Sequence, residues 1–241
     1  EDFGNETVFK ILKKKKRNKF SYFAQIIKLL IQIQSIKDRK VKNFKNQNYT
    51  IPKYDKKVLI NEANLFCDWY VKNNFSRLRK KNFCKKFKKI VKELTLKLRL
   101  KNNIFVHRDF HVSNLMLVNK RIGLIDSQDA LIGNRAYDLV SLIDDVRFKT
   151  SNSFKEKILN FYIKKQKKLD IKKFKNDFEI LSVLRNLKII GIFTRLALRD
   201  RKKNYLKLIP YAWQLINMRI GQNQVFIDLK NLLSQNFKKI K

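Results

Sequence analysis

The chain has 241 residues, 44% of them hydrophobic and 12% aromatic, so it can bury a core and is not globally disordered. Its 57 lysines and arginines outnumber 20 acidic residues and give a formal net charge of +37. No apolar run reaches the about 18 residues of a membrane-spanning helix. Two cysteines without metal-ligand spacing and an acidic start without a leader pattern predict a cytoplasmic protein.

The charge has two interpretations. A basic surface can bind nucleic acid or an acidic membrane. The alternative is compositional drift, because Lys, Asn, Ile and Phe all have A/T-rich codons and all are abundant. Lys also far outnumbers Arg, although Arg is the residue favoured for bidentate phosphate and base recognition. The drift interpretation is favoured, so we expect no specific nucleic-acid partner and no membrane association.

Two prolines and five glycines favour helices over a sandwich or barrel. Apolar spacing predicts helices over 6–17, 20–37 (with Ser21 as a candidate N-cap), 58–73 and 82–100, and a polar loop over 40–57. Short β-branched and aromatic runs then predict strands over 104–106, 115–118 and 122–125, with a hairpin turn at Asn119-Lys120. Helical spacing returns over 136–148, 154–168, 174–199, 205–219 and 224–237. The expected fold class is α+β, mainly helical, with one small strand-loop-hairpin unit.

That unit, FVHRDFHVSNLMLVNKRIGLIDSQDA (105–130), concentrates both histidines and several acids. Its first strand leads into Asp109, Asn114 stands at the entrance of the hairpin, and the far hairpin strand ends at Asp126. These three side chains can therefore converge at one end of a small sheet. Oxygen donors such as Asn114 and Asp126 suit Mg²⁺, while a separate Asp can accept a hydroxyl proton. The pattern predicts phosphoryl transfer to an alcohol.

The spacing His107-x-Asp109-x-x-x-x-Asn114 matches the catalytic loop of kinases, and Asp126 takes the place of the metal-binding Asp of D-F-G. The two histidines have simpler interpretations. His107 is expected to be a buried residue that braces the loop. His111 is expected to be a loop residue, because no Cys or carboxylate accompanies it at zinc-ligand spacing.

With these motifs the chain resembles the aminoglycoside phosphotransferase superfamily of small-molecule kinases. Within that superfamily it is most similar to the bacterial anomeric N-acetylmuramate/N-acetylglucosamine kinases. The similar blocks follow the family's order: EDFGNETV (1–8, the hinge), PKYDKKVLINEANLFCDWYV (52–71), VHRDFHVSNLM (106–116, the catalytic loop), GLIDSQDALIGNRAYDLVSLIDD (123–145) and RNLKIIGIFTRLALRDRKKNYLKLIP (185–210).

The resemblance implies ATP-dependent phosphorylation of a sugar hydroxyl, at the anomeric position of N-acetylmuramate or N-acetylglucosamine, in cell-wall recycling. Asp109 would be the catalytic base, and Asn114 and Asp126 would hold Mg²⁺. Arg108 would counter phosphate charge, or else form a salt bridge inside the loop. Asp138 would anchor the catalytic loop, a structural role that it shares with His107.

The resemblance also implies binding residues. The hinge residues Glu1, Asp2 and Phe3 would border the nucleotide. Glu62 and Trp69 lie seven residues apart, so two turns of an α-helix would place them on one face, where they could flank the sugar. The alternative is that Trp69 belongs to the core and Glu62 is a surface or loop-bracing acid.

Further along the chain, Arg195 and Arg199 are candidates for binding an acidic substrate group, as is Arg185. The alternative is that each is a solvated or ion-paired arginine.

The expected domain is a single kinase-like C-terminal lobe over 1–241, with 1–8 as the hinge and the N-terminal β-lobe absent. The five glycines form no glycine-rich loop, so the lobe alone is expected to bind ATP weakly. Ser127 replaces the family's usual aromatic, and Asn134-Arg135-Ala136 replaces a Pro-containing turn. The alternative functions are a kinase of another small alcohol, such as choline or an aminoglycoside, and a non-catalytic remnant or binding module.

Overall fold

The structure is a computed structural model that describes residues 3–14, 18–42, 45–119, 121–221 and 223–238. These residues are mainly helical with a few short strands, which confirms the expected secondary-structure class. None of the helices in these ranges is long and apolar enough to cross a membrane.

The helices are α1 Val8–Lys14, α2 Lys19–Gln34, α3 Lys56–Leu65, α4 Lys72–Asn74, α5 Arg77–Leu96, α6 Ala136–Ile143, α7 Asn152–Lys164, α8 Ile171–Leu198, α9 Ile209–Ile220 and α10 Ile227–Ser234. A π-helical segment, Phe66–Val71, joins α3 to α4, and 3₁₀ turns occupy Val112–Asn114, Lys203–Leu208 and Gln224–Phe226. The strands are β1 Lys40–Lys42, β2 Asn48–Thr50, β3 Asn102–Val106, β4 Leu115–Val118, β5 Arg121–Leu124 and β6 Leu131–Asn134.

The chain divides into two compact units. The first comprises Glu1–Tyr54 and Leu100–Phe174, and the second comprises Asp55–Arg99 and Lys175–Lys241. Helix α8 begins in the first unit and continues in the second.

The first unit contains the strands, which form antiparallel pairs. Strand β3 pairs with β6, with Val106 opposite Leu131. Strand β4 pairs with β5, with Leu115 opposite Leu124. The N-terminal segment adds to the free edge of β4, because the Leu117 N–H donates to the Glu6 carbonyl at 3.1 Å. The predicted strand-loop-hairpin unit is therefore present, and it is extended by β6 and by the N-terminal segment.

Helix α6 forms the centre of the first unit, since all eight of its residues are buried. Beyond its end, the ammonium group of Lys155 on α7 lies 3.2 Å from the Asp144 carboxylate, and both side chains are buried. An aromatic group packs nearby: the ring of Phe23 on α2 makes an edge contact with Phe154 at a centroid distance of 5.1 Å. The buried ammonium group of Lys155 is thus neutralised by a buried carboxylate.

The second unit packs around an aromatic cluster. Phe66, at the start of the π-helical segment, contacts Phe87 of α5 at 5.5 Å and Trp213 of α9 at 5.7 Å between ring centroids. Phe237 completes the cluster at 5.3 Å from Trp213. Offset and edge-on ring pairs of this kind stabilise a core beyond simple area burial.

Gly191 of α8 lies directly against the point where α3 passes into the π-helical segment. A Cβ atom at Gly191 would stand 2.3 Å from the carbonyl carbon of Leu65. Only glycine allows the two backbones to approach this closely.

The structure corrects two of the local predictions. Ser21 is not an N-cap: α2 begins at Lys19 after Asn18, which has a φ of 65°. The loop prediction for 40–57 was wrong in part, because β1 and β2 pair as an antiparallel hairpin there. The predicted hairpin turn is consistent with the φ of 47° at Asn119, whereas Lys120 lies outside the described residues.

Candidate active site

The candidate site begins where β3 ends at Val106 and the chain turns into the loop. The backbone N–H of His107 donates to Asp138 Oδ2 at 2.7 Å, and that of Arg108 donates to Asp138 Oδ1 at 3.0 Å. Asp138 is fully buried in the first turn of α6. Arg108 has a φ of 74°, a left-handed conformation that side-chain-bearing residues rarely adopt. The Asp138 carboxylate therefore holds a strained turn at the start of the loop.

The imidazole of His107 braces the other side of this turn. Its Nε2 lies 3.0 Å from the carbonyl oxygen of Ile125, just beyond β5, and the side chain is fully buried. Burial lowers the pKa of His107 below its ordinary value, because the imidazolium would lose its hydration. The ring is therefore neutral at pH 7, and Nε2 donates to the carbonyl.

The loop then brings three oxygen-bearing residues together. Asn114 Nδ2 donates to the backbone carbonyl of Asp109 at 3.1 Å and lies 3.5 Å from Asp126 Oδ2. The Ile125 N–H donates to the backbone carbonyl of Asn114 at 3.1 Å, so the two ends of the hairpin are tied beside these side chains. Asp126 has a φ of 70°, which aims its carboxylate back towards the loop. Gln128 Nε2 donates to the other carboxylate oxygen, Asp126 Oδ1, at 2.6 Å.

The donor set fits a magnesium ion. Asn114 directs its Nδ2 at Asp109 and Asp126, so its Oδ1 is the atom available to a cation. Asp126 is exposed and offers carboxylate oxygens on the same side of the hairpin. One amide oxygen and one carboxylate are typical of a Mg²⁺ that keeps water ligands and binds substrate phosphates.

Arg108 is held within the loop. Its guanidinium donates to the backbone carbonyl of Asp129 at 3.3 Å and lies 5.7 Å from the ring centre of Tyr54. A guanidinium keeps its charge at any physiological pH. Arg108 can therefore contribute positive charge beside Asp109.

A cleft of about 540 Å³ lies along the β4–β5 hairpin. The Phe3 ring lies against this hairpin, since a Cβ on Gly123 would lie 3.4 Å from it. Three residues were expected to bind the nucleotide. Phe3 is among the described residues, whereas Glu1 and Asp2 lie outside them. The cleft is lined by Phe3, Val118, Asn119, Arg121, Ile122 and Gly123.

The four candidate substrate-binding residues all belong to the second unit. Glu62 forms an ion pair with Lys188 of α8 at 2.8 Å, with both side chains largely buried. Trp69 is half-buried within the π-helical segment. Because a π-helix turns less per residue than an α-helix, the seven-residue spacing of Glu62 and Trp69 does not equal two turns, and the one-face argument fails.

The arginines of α8 differ in environment. Arg195 is half-buried within the helix. Arg199 is exposed beyond the end of α8 and pairs with Asp200 at 2.7 Å. The Asp200 carboxylate raises the pKa of Arg199, and the pKa of Asp200 is lowered in return. Arg199 is thus an ion-paired surface residue in this structure.

Sequence reasoning missed three groups around the candidate residues. Lys188 gave no signal, because one lysine among many is not distinctive. Gln128 could have been noticed from its place two residues after the expected metal ligand. The main-chain carbonyl of Ile125, which accepts from His107, is invisible in any sequence pattern.

The chain matches the model of a known protein family. A model of the phosphotransferase enzyme family, APH, matches residues 13–170. The chain belongs to this family, which confirms the resemblance seen in the sequence.

Two curated relatives are similar to the chain over much of its length. N-acetylmuramate/N-acetylglucosamine kinase of Neisseria meningitidis serogroup B is 36% identical over 166 residues, which are 66% of this chain and 50% of the relative. The enzyme of the same name from Pseudomonas aeruginosa is 31% identical over 190 residues, 76% of this chain and 56% of the relative. The chain thus spans about half the length of these curated relatives.

Among solved structures, the AMP-bound complex of spectinomycin phosphotransferase APH(9)-Ia aligns with a TM-score of 0.55 at 14% identity. The alignment covers 84% of this chain and 67% of that one. At this identity the likeness supports the fold and says nothing of the substrate.

Proposed function

We propose that this chain forms the acceptor- and metal-binding part of an ATP-dependent kinase. Its substrate would be N-acetylmuramate or N-acetylglucosamine, phosphorylated at the anomeric hydroxyl. The observation that carries the proposal is the grouping of Asp109, Asn114 and Asp126 around one hairpin. Relatives that are 36% and 31% identical and bear the name of this sugar kinase support the choice of substrate.

In the proposed reaction the Asp109 carboxylate accepts the proton of the sugar hydroxyl as the hydroxyl oxygen bonds to the terminal phosphorus of ATP. The bond between that phosphorus and the bridging oxygen breaks, and ADP leaves with the electron pair. Asn114 and Asp126 would hold Mg²⁺, which when bound neutralises phosphate charge. Arg108 adds positive charge beside them. Asp138 and His107 are proposed as positioning residues, because their contacts with the backbone of the loop and of Ile125 fix the turn that precedes Asp109.

The nucleotide is proposed to lie along the β4–β5 cleft. The aromatic ring of Phe3 against Gly123 offers a flat apolar surface of the kind on which a purine packs. Contacts from Glu1 and Asp2 remain predictions.

Glu62, Trp69, Arg195 and Arg199 are each proposed as sugar-binding residues. Trp69 is half-buried, so part of its indole is available for stacking on a sugar ring. Glu62 would have to accept a hydrogen bond from the sugar beside its ion pair with Lys188, or give up that ion pair. Arg195 and Arg199 are proposed partners for the carboxylate that distinguishes N-acetylmuramate from N-acetylglucosamine. A cytoplasmic location belongs to the same proposal, because ATP is a cytoplasmic cosubstrate.

The test is turnover with Mg·ATP, using the chain with its upstream genomic sequence restored and, in parallel, the chain alone. N-acetylmuramate, N-acetylglucosamine, choline and spectinomycin are offered in turn, and the product is identified by phosphorus NMR. The proposal expects an anomeric sugar phosphate from the restored protein. Turnover of choline or spectinomycin instead would identify another small-alcohol kinase. Turnover of none of the four by the folded, restored protein would contradict the proposal and favour a remnant.

A further inference from the structure

Helix α5 in the second unit carries one outward face that combines exposed lysines with exposed leucines. The residues of this face follow one another along α5 at intervals of three or four, starting from Leu78, and each of them is exposed. Its first and last members stand about five helical turns apart, so the two ends point in the same direction. We call this surface the lysine face; its members are Leu78, Lys81, Lys85, Lys89, Lys92 and Leu96.

The opposite side of α5 is fixed in the core of the second unit. Phe83, Phe87, Val91 and Leu94 are all buried there. Phe87 also contacts Phe66 of the aromatic cluster. The lysine face therefore cannot turn inwards, and its orientation is set by the fold.

Each end of the lysine face is an exposed leucine. Leu78 is 70% exposed and Leu96 is 57% exposed. Four lysines lie between them along about 27 Å of helix. A row of cations ending in exposed leucines combines charge with a modest apolar contact, the two signals that together hold a protein at a membrane surface.

We propose that the lysine face docks on a bilayer surface containing anionic phospholipid. A lysine is a compact, strongly hydrated charge that suits a diffuse negative surface, whereas recognition of individual phosphates and bases favours arginine. The phosphate backbone of a nucleic acid offers no apolar surface to the two leucines. The boundary between lipid headgroups and acyl chains does. A second copy of this chain is disfavoured by the repulsion between net charges of +37.

Compositional drift explains the high net charge of the chain but not the arrangement of residues on one helix face. Composition places lysines anywhere on a surface, and it does not account for two leucines that share one face with four of them. The proposal is independent of the kinase reaction, since none of the six residues belongs to the candidate active site.

The test is flotation of the chain with two kinds of vesicle at physiological ionic strength. One kind is phosphatidylcholine mixed with phosphatidylglycerol, which is anionic, and the other is phosphatidylcholine alone. The first variant is K81E/K85E/K89E/K92E. The control is K164E/K167E/K168E/K172E, four exposed lysines of the α7–α8 region. In each variant, four changes of two charge units take the formal net charge from +37 to +29, so overall charge is matched.

The proposal expects binding to the anionic vesicles. The lipid concentration for half-maximal binding should rise at least about tenfold in the α5 variant and less than about twofold in the control. A third variant, L78S/L96S, should weaken binding by a few-fold without changing its charge. Circular dichroism confirms that each variant is folded.

Three results would overturn the proposal. Equal losses in the two charge variants would show delocalised attraction to a highly charged chain. Equal binding to both vesicle types would exclude an anionic-lipid site. Salt-dependent binding to duplex DNA that requires the four α5 lysines, without vesicle binding, would assign the face to nucleic acid.

Discussion

Asp138 Oδ1 accepts a hydrogen bond from the backbone N–H of Arg108, at 3.0 Å, while Arg108 is held at a φ of 74°. A left-handed residue with a side chain costs about 1–3 kcal/mol and persists only where its surroundings enforce it. The fully buried carboxylate on α6 supplies that enforcement, and its second oxygen binds the His107 N–H at 2.7 Å. The position of Asp109 thus depends on a residue of a different element, far along the chain.

The variant Asp138→Ala should therefore be among the more damaging single changes in the first unit. It would leave two backbone donors without their charged acceptor, and the free energy of unfolding should fall by about 3 kcal/mol. Urea denaturation measures this loss. The control is Asp68→Ala, an exposed acid whose removal should change the free energy by less than about 0.5 kcal/mol. Equal effects of the two changes would show that Asp138 does not hold the loop.

His107 should titrate below the ordinary histidine pKa of 6.5. Its imidazole proton signal in NMR is simple to assign, because the chain has two histidines and His111→Gln removes the other. Burial depresses the folded-state pKa, so as pH falls below about 6.5 the unfolded chain gains a proton that the folded chain does not.

The stability contributed by neutral His107 is therefore complete above about pH 6.5 and is lost as the pH falls towards the folded-state pKa. The free energy of unfolding should drop between pH 7.5 and pH 5.5, and it should drop less in His107→Gln. A midpoint for His107 at or above 6.5 would contradict the buried, neutral ring.

Gly191→Ala should destabilise the second unit strongly. The new methyl group would meet the Leu65 backbone at 2.3 Å, and backbone cannot move aside as a flexible side chain does. We expect a loss of about 3 kcal/mol, measured as a lower urea midpoint. Gly221→Ala is the matched control: its Cβ would lie 3.3 Å from the Asn217 carbonyl at a φ of −71°, and the change should stay within about 1 kcal/mol. Similar losses in the two variants would mean that the helix contact is looser than described.

Asp126→Asn should raise the Mg²⁺ concentration that gives half-maximal turnover by at least about tenfold, because a neutral amide replaces a charged ligand. Binding of Mn²⁺ in the presence of ATP, followed by electron paramagnetic resonance, reports the same loss without relying on activity. The matched change Asp129→Asn should leave both values within about twofold, since Asp129 contacts Arg108 through its backbone carbonyl. Unchanged metal binding in Asp126→Asn would remove this residue from the proposed site.

Much of this architecture could be predicted from local pattern. The longer helices from α2 to α10 were predicted because their apolar residues recur at helical spacing, although the boundaries shift by several residues at many ends. Asn114 contacts the Asp109 backbone carbonyl and Asp126, as their spacing led us to expect, while the catalytic and metal-binding roles of the three residues stay predictions. These three residues lie on one loop and one hairpin, which are formed by residues close together in the sequence.

Other features depend on tertiary contacts and gave no local signal. Strand β6 pairs with β3 only after the loop and the whole β4–β5 hairpin have intervened, and its sequence, LIGN, is too short for a period to show. Strands β1 and β2 are exposed throughout, so no alternation of apolar and polar residues marks them. The positive φ angles of Arg108 and Asp126 could not be predicted, because neither residue is glycine and each is held by its surroundings.

The most direct test of the account is the Asp109→Asn variant of the restored protein, assayed with N-acetylmuramate and N-acetylglucosamine at saturating Mg²⁺. If Asp109 accepts the hydroxyl proton, kcat should fall by at least about a hundredfold, while KM for Mg·ATP stays within about twofold and the thermal midpoint is unchanged. If the folded variant keeps kcat within a few-fold of the wild type, Asp109 is not the base and the proposed mechanism is wrong.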